Sequence, residues 1–258
     1  MTDHEKIFSL EGRTAIVTGS HRGIGFAVAR EMARAGAKVV ISSNDESGCE
    51  AACLQLRNEG LEAAPIPCDV GADPDLAALV DGTLARFGRL DILVCNAGVN
   101  PHAGPMATAS DEQYDQILRI NLRAAFKLCN LAIPHMAAQR DGVVILTGSI
   151  SGVRGNKTIG IYGLSKAALA QLARNLAVEW GPSNIRVNAI SPGLIRAEFA
   201  TPILDAPEHL ARRIAQTPLR RVGEPDDIAG VAVFLASRAG AFLTGQNLIV
   251  DGGTTISD

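Results

Sequence analysis

No window of the chain is long and apolar enough to cross a bilayer, and the opening MTDHEKIFSLEGRT is polar where a secretory leader needs an apolar run. A cytoplasmic protein is expected. Nor is there a basic block. The 24 lysines and arginines are interspersed with 27 acids, for a formal net charge of −3, so nothing points to nucleic acid or an anionic membrane. Cysteine is scarce and odd in number: Cys49, Cys53, Cys68, Cys95 and Cys129. Cys49 and Cys53 can share a helical face, but no second ligand pair with zinc spacing occurs. Reduced, packed thiols and no metal are expected. Internal repeats, linkers and low-complexity tracts are also missing, so residues 1–258 are read as one domain, a length that one core can serve.

What the chain does have is alternation. Apolar runs of strand length fall at 14–18, 38–42, 64–68, 92–96, 143–147, 186–190 and 248–250. Amphipathic stretches lie between them near 24–35, 46–59, 74–87, 111–138, 162–180 and 225–237. This is the pattern of βαβ units. Right-handed crossovers put such helices on both faces of a parallel sheet. The expected fold class is α/β, a three-layer arrangement with a seven-stranded parallel sheet.

Chemistry concentrates around Ser149, Tyr162 and Lys166. Tyr162 and Lys166 are four apart in a helix-forming segment and share a face. A phenol of ordinary pKa about 10 is a poor proton shuttle at neutral pH, and a neighbouring ammonium is expected to lower it. Ser149 ends the run GVVILTGS, which would deliver its hydroxyl to a strand's C-terminal edge. A carbonyl can then be held between two hydroxyls. A bare YxxxK is equally compatible with an exposed helix pair. Upstream, the first strand runs into TGSHRGIG, with glycines at 19, 23 and 25 before a helix. Such a turn lets backbone approach a phosphate, and the helix N-terminus offers free N–H groups.

TGSHRGIG, the NAG at 96–98, Ser149, YGLSK at 162–166, the Pro192–Gly193 pair and the late GQNLIVDGG occur together and in order. The set resembles the single-domain branch of the short-chain dehydrogenase/reductase family, over residues 10 to 255. That resemblance implies a Rossmann-type fold and reversible hydride transfer between a nicotinamide cofactor and a carbonyl or secondary alcohol. It assigns Asn121, Ser149, Tyr162 and Lys166 to catalysis. It assigns Gly19, His21, Arg22, Gly23, Ile24, Gly25, Ser43, Asn44, Asp69, Val70, Asn96, Ala97, Gly98, Tyr162, Lys166, Pro192, Gly193 and Ile195 to the cofactor.

An acid at the end of the second strand would hold the adenosine ribose and repel a 2′-phosphate. Ser42, Ser43 and Asn44 stand there instead, Asp45 comes late, and Arg22 can either face the phosphate or be a solvated loop residue. NADP is therefore expected over NAD, which stays possible. Asp69 has a competing role as a helix cap, one that Asp73 fits better. Ala197 replaces the threonine that many relatives use for the carboxamide or phosphate, and Thr201 is a candidate substitute.

The stretch 194–219 reads as a substrate lid, and the pocket as largely apolar. Arg154 and His102 are its polar exceptions, either as ordinary loop residues or as readers of a substrate carboxylate or phosphate. The resemblance also implies a homotetramer built on the long helices. Two other readings stay open. One is a 3-oxoacyl-[acyl-carrier-protein] reductase docking through Arg119, Arg123 and Lys127; the other is a non-catalytic dinucleotide-binding regulator.

Overall fold

The computed structural model describes residues 7–257. Its strands are β1 (Thr14–Thr18), β2 (Lys38–Ser42), β3 (Ala63–Pro65), β4 (Ile92–Cys95), β5 (Gly142–Thr147), β6 (Ile185–Pro192) and β7 (Asn247–Val250). They form one parallel sheet in the order β3-β2-β1-β4-β5-β6-β7. Side chains alternate across it. Ala15, Val17, Ile92, Val94 and Ile145 pack on one face, and Ile16, Leu93, Val144 and Leu146 on the other. Helices α1 (Gly23–Arg34), α2 (Glu46–Asn58) and α9 (Pro225–Ala236) cover the first face; α3 (Asp73–Phe87), α5 (Ala124–Gln139) and α6 (Gly160–Trp180) cover the second. With both faces dry, the strands read as unbroken apolar runs. Each fully buried Leu, Ile or Val contributes about 1.5–3 kcal/mol.

From β1 the chain winds outward to β2 and β3, then returns to lay β4 on the opposite side of β1. That reversal opens a crevice at the C-terminal ends of β1 and β4. Val17 pairs with Val94, so Gly19 and Asn96 emerge side by side.

Three local expectations change. The third strand is Ala63–Pro65 rather than 64–68. Ile66 and Cys68 still donate to the carbonyls of Ile41 and Ser43, but Pro65 and Pro67 have no N–H, which only a sheet edge tolerates. The long helix over 111–138 is divided into α4 (Asp111–Leu118), a π turn at Arg119–Arg123 and α5. Finally, Asp73 is not the cap of α3, whose N-cap is Ala72. Its carboxylate instead binds Arg123 through two bonds of 2.6 and 2.7 Å.

The segment 194–219 comprises a 3-10 turn at Glu198–Ala200, a short α7 (Thr201–Leu204) and α8 (Pro207–Ala215). Its frame is fixed by a bridge between Ile195 and Gly223 and by the Leu219 N–H on the Gly252 carbonyl. Among the described residues no helix is long and apolar enough to cross a membrane. The reading of the N-terminus rests on residues 1–14, of which 1–6 lie outside the described range. All five cysteines are buried and unpaired.

Candidate active site

The crevice is stitched at its centre by Thr18 and Asn96. Thr18 Oγ1 accepts the N–H groups of Asn96 and Ala97 at 3.0 and 3.1 Å. Asn96 Nδ2 donates back to the carbonyls of Thr18 and Gly19 at 3.0 and 3.1 Å. The glycine loop leaves this point with Gly19 at φ 63° and Gly23 at φ 59°, the left-handed region where side chains are disfavoured. A Cβ on Gly25 would sit 2.2 Å from the Gly19 carbonyl oxygen. Ile24 follows Gly23 in the first turn of α1. The cap residue of α1, Arg22, makes no side-chain cap bond, and the first turn carries no acid. Its leading N–H groups are thus available to an anion.

At the β2 edge, Asp45 is occupied as the cap of α2, accepting from the Gly48 N–H and Ser47 Oγ at 2.9 Å each. Ser43 Oγ accepts the Asp45 N–H at 3.0 Å, and Asn44 is exposed. Both ring nitrogens of His21 are buried without a hydrogen-bond partner. Burial and the adjacent Arg22 charge hold its pKa below the usual value. Arg22 itself reaches across to the 194–219 segment and pairs with Glu198 at 2.7 Å.

Asp69 lies beyond β3 with Oδ1 on the Gly71 N–H at 2.8 Å, next to buried Val70. Pro192 ends β6. Gly193 follows with no room for a side chain, since a Cβ would lie 2.7 Å from the Asp251 Cα. Ile195 is buried behind it, and Ala197 faces the glycine loop, 3.5 Å from a Cβ built on Gly23.

Across the crevice, Lys166 is buried with Nζ donating to the Thr147 carbonyl at 2.7 Å. Asn121 occupies the π turn, where the extra residue in the turn redirects its side chain inward. Its Oδ1 accepts the Val99 N–H at 2.8 Å while Nδ2 donates to the Val99 carbonyl and to Ser165 Oγ. Gly98 keeps the space between the two clear: a Cβ there would be 3.3 Å from both Asn121 Oδ1 and Lys166 Nζ. Tyr162 is buried, with Lys166 Nζ 5.6 Å from its ring centroid and Phe199 of the 194–219 segment at 5.4 Å, centroid to centroid.

The lysine was expected to lower the phenol, and here the balance differs. Burial pushes Tyr162 up to about 12, and the Ser149 hydroxyl is what pulls the other way. Burial also lowers Lys166 to about 8, against a small opposing effect of Cys95. A protonated phenol and a nearby, weakly held ammonium therefore face the same crevice at neutral pH. His102, one of the two polar pocket candidates, bonds the Pro105 carbonyl at 3.1 Å and has a loop role.

Thr18, Ser165 and Glu198 take part in this arrangement without having been singled out in the sequence. Ser165 was discoverable, three residues after Tyr162 on the same helix. Glu198 meets Arg22 across 176 positions and left no local signal. Among the described residues no cluster of His, Cys, Asp or Glu forms a metal set.

A family model described as enoyl-(acyl carrier protein) reductase matches residues 19–255. The human dehydrogenase/reductase SDR family member 2, mitochondrial, is 40% identical over 247 residues, covering 95% of this chain and 88% of the relative. A solved gluconate 5-dehydrogenase from Burkholderia cenocepacia, in complex with NADP and tartrate, superposes with a TM-score of 0.95 at 33% identity, covering 99% of this chain and 100% of the other. A 7α-hydroxysteroid dehydrogenase complexed with NADH and 7-oxo glycochenodeoxycholic acid gives 0.93 at 34% identity, covering 98% of each chain. On fold, motif order and these likenesses, the chain belongs to the short-chain dehydrogenase/reductase family and is an NAD(P)-dependent oxidoreductase of alcohol and carbonyl groups.

Proposed function

We propose that this oxidoreductase binds its dinucleotide across the β1–β4 crevice, prefers NADP, and acts on a small to medium, largely apolar ketone or secondary alcohol. The observation that carries the proposal is the meeting of Ser149, Tyr162, Lys166 and Asn121, from three separate elements (the turn after β5, α6 and the π turn), at the crevice wall. The residues present fit the cofactor. Gly19, Gly23, Ile24 and Gly25 form the phosphate turn; Asp69 and Val70 stand at the adenine end; Asn96, Ala97 and Gly98 floor the crevice; Pro192, Gly193 and Ile195 wall the nicotinamide end. His21, whose buried ring nitrogens make no hydrogen bond although Nε2 lies 3.8 Å from Asp45 Oδ2, together with Arg22, Ser43 and Asn44 suits a 2′-phosphate. Asp45, committed to capping α2, is a poor ribose acceptor.

The nicotinamide, when bound, supplies or takes up the hydride. The hydroxyls of Ser149 and Tyr162 hold the carbonyl oxygen. Tyr162, kept protonated by burial, donates its proton to that oxygen as negative charge develops there. The Lys166 ammonium, fixed on Thr147, stabilises the phenolate left behind. Asn121 holds the Val99 segment and α6 together, so that the lysine keeps its place.

A homotetramer suits the exposed apolar residues on the long helices, with Val178 81% and Leu164 57% exposed on α6 and Phe126 44% on α5. Five unpaired thiols fit a reducing compartment such as the cytosol. The 3-oxoacyl carrier reading draws on the carrier named in the family description, but Asp73 already engages Arg123 and Lys127, leaving little free basic stripe. Initial rates with NADPH and NADH across ketones, diketones and free and carrier-bound 3-oxoacyl thioesters test the proposal. A ketone turned over with NADPH preference supports it. Turnover confined to the carrier-bound thioester would replace the substrate, and NADH preference would overturn the cofactor assignment.

A further inference from the structure

Arg213 sits in the last turn of α8, the main helix of the lid. A guanidinium taken out of water needs acceptors for its N–H groups, and burying one without them is costly. Yet Arg213 Nε is buried with no hydrogen-bond partner, and among the described residues no carboxylate lies within ion-pair distance of the side chain. A second cation stands close. Arg154, in the loop five residues beyond Ser149, donates Nη1 to the Thr254 carbonyl at 3.3 Å. Thr254 Oγ1 meets Thr217 Oγ1 at 3.0 Å, and Thr217 Oγ1 bonds the Arg213 carbonyl at 2.9 Å. Three segments are thereby tied together: the Ser149 loop, the lid helix and the C-terminal turn.

The obvious local acid is unavailable. Both carboxylate oxygens of Asp251 accept backbone N–H groups, from Gly253 at 2.8 Å and Thr255 at 2.7 Å. Burial lowers the Arg213 pKa, and the charges of Arg154 and Arg212 lower it further, with no acid in opposition. Complementing the negative end of α8 would explain a cation in the last turn, but exposed Arg212 already serves that purpose and needs no buried Nε. Two guanidiniums, one of them partly desolvated, are a receptor for a planar anion able to take paired N–H bonds.

We propose that Arg213 and Arg154 form the anion-binding end of the substrate site, so that the preferred substrate is an oxo acid or hydroxy acid whose carboxylate they hold while the reacting carbon lies at Ser149 and Tyr162. The inference rests on the assignment of the active site given above and adds a charge requirement at one end of an otherwise apolar substrate. Because α8 supplies Arg213, the same carboxylate also draws the lid down.

The test compares an oxo acid with its methyl ester and with the matching phosphate-bearing ketone, in the wild type and in Arg213→Gln, Arg154→Gln and Arg212→Gln. The wild type should prefer acid over ester, chiefly through KM, and Arg213→Gln or Arg154→Gln should shrink that preference by about tenfold to a hundredfold. Arg212→Gln should leave it intact. Binding is read separately as the rise in Tm given by a saturated carboxylic acid of the same length, which cannot react. That rise should vanish in Arg213→Gln, and the variant's own unliganded Tm shows whether it is folded. Equal turnover of acid and ester in the wild type overturns the arginine pair while leaving the active site standing. Better binding of the phosphate-bearing ketone than of the acid overturns the choice of carboxylate. No turnover of any compound counts against the active-site assignment alone, and the Tm shift then decides the arginines.

Discussion

A buried ammonium costs folding free energy until its charge is partnered or lost, and Lys166 gives that cost a pH signature. In the folded chain it is held at about 8, against an ordinary 10.5. Below pH 8 both states carry the proton and the penalty is at its full size. Between about 8 and 10.5 the unfolded chain binds more protons than the folded one, so stability rises with pH. Tyr162 acts in the opposite sense at higher pH: raised from 10 to about 12, it keeps its proton while the unfolded chain loses its own, and stability falls across that interval. Denaturation of Lys166→Met against the wild type, from pH 7 to 10, isolates the lysine. The wild type should gain stability relative to the variant above pH 8. A difference that stays constant across the range would contradict the buried, depressed lysine.

At the scale of elements, the strap between Arg22 and Glu198 links the glycine loop, proposed to hold the cofactor, to the segment proposed as the lid. A 2′-phosphate must compete with the Glu198 carboxylate for that guanidinium. Exposed ion pairs are weak, so Glu198→Gln should lower KM for NADPH by no more than about fivefold and leave KM for NADH unchanged. Equal shifts for both cofactors would show that Glu198 acts on lid motion rather than on Arg22. The same element shows where sequence reading stops. β1 and β2 were legible to the residue because both faces of the sheet are buried and composition follows burial. Asn121 was legible as an oddity within a helix, though the π turn that aims it was not, because helical spacing alone does not reveal one inserted residue. Glu198 and Arg213 left no pattern, since their meaning depends on what distant segments bring beside them. For the Asp73 carboxylate the nearest local role, a cap, was the wrong one; tertiary pairing with Arg123 prevailed.

At the scale of the whole molecule, large apolar side chains remain exposed, among them Val178 and Leu164 on α6, and Phe242, fully exposed, and Ile256, 87% exposed, in the segments before and after the edge strand β7. Contiguous patches of such side chains mark interfaces. If the proposed homotetramer is built on these faces, Val178→Glu is expected to lower the mass measured by light scattering to that of a smaller species, and Phe242→Glu to weaken a different contact. An unchanged mass in both variants would remove these faces from the assembly.

The central claim is that Tyr162 is the proton donor of an NADP-preferring carbonyl reductase, and Tyr162→Phe tests it most directly. Loss of the hydroxyl alone should leave NADPH affinity near that of the wild type while turnover of a competent ketone falls by about a hundredfold to ten-thousandfold. Near wild-type turnover in a variant that still binds NADPH would contradict the account.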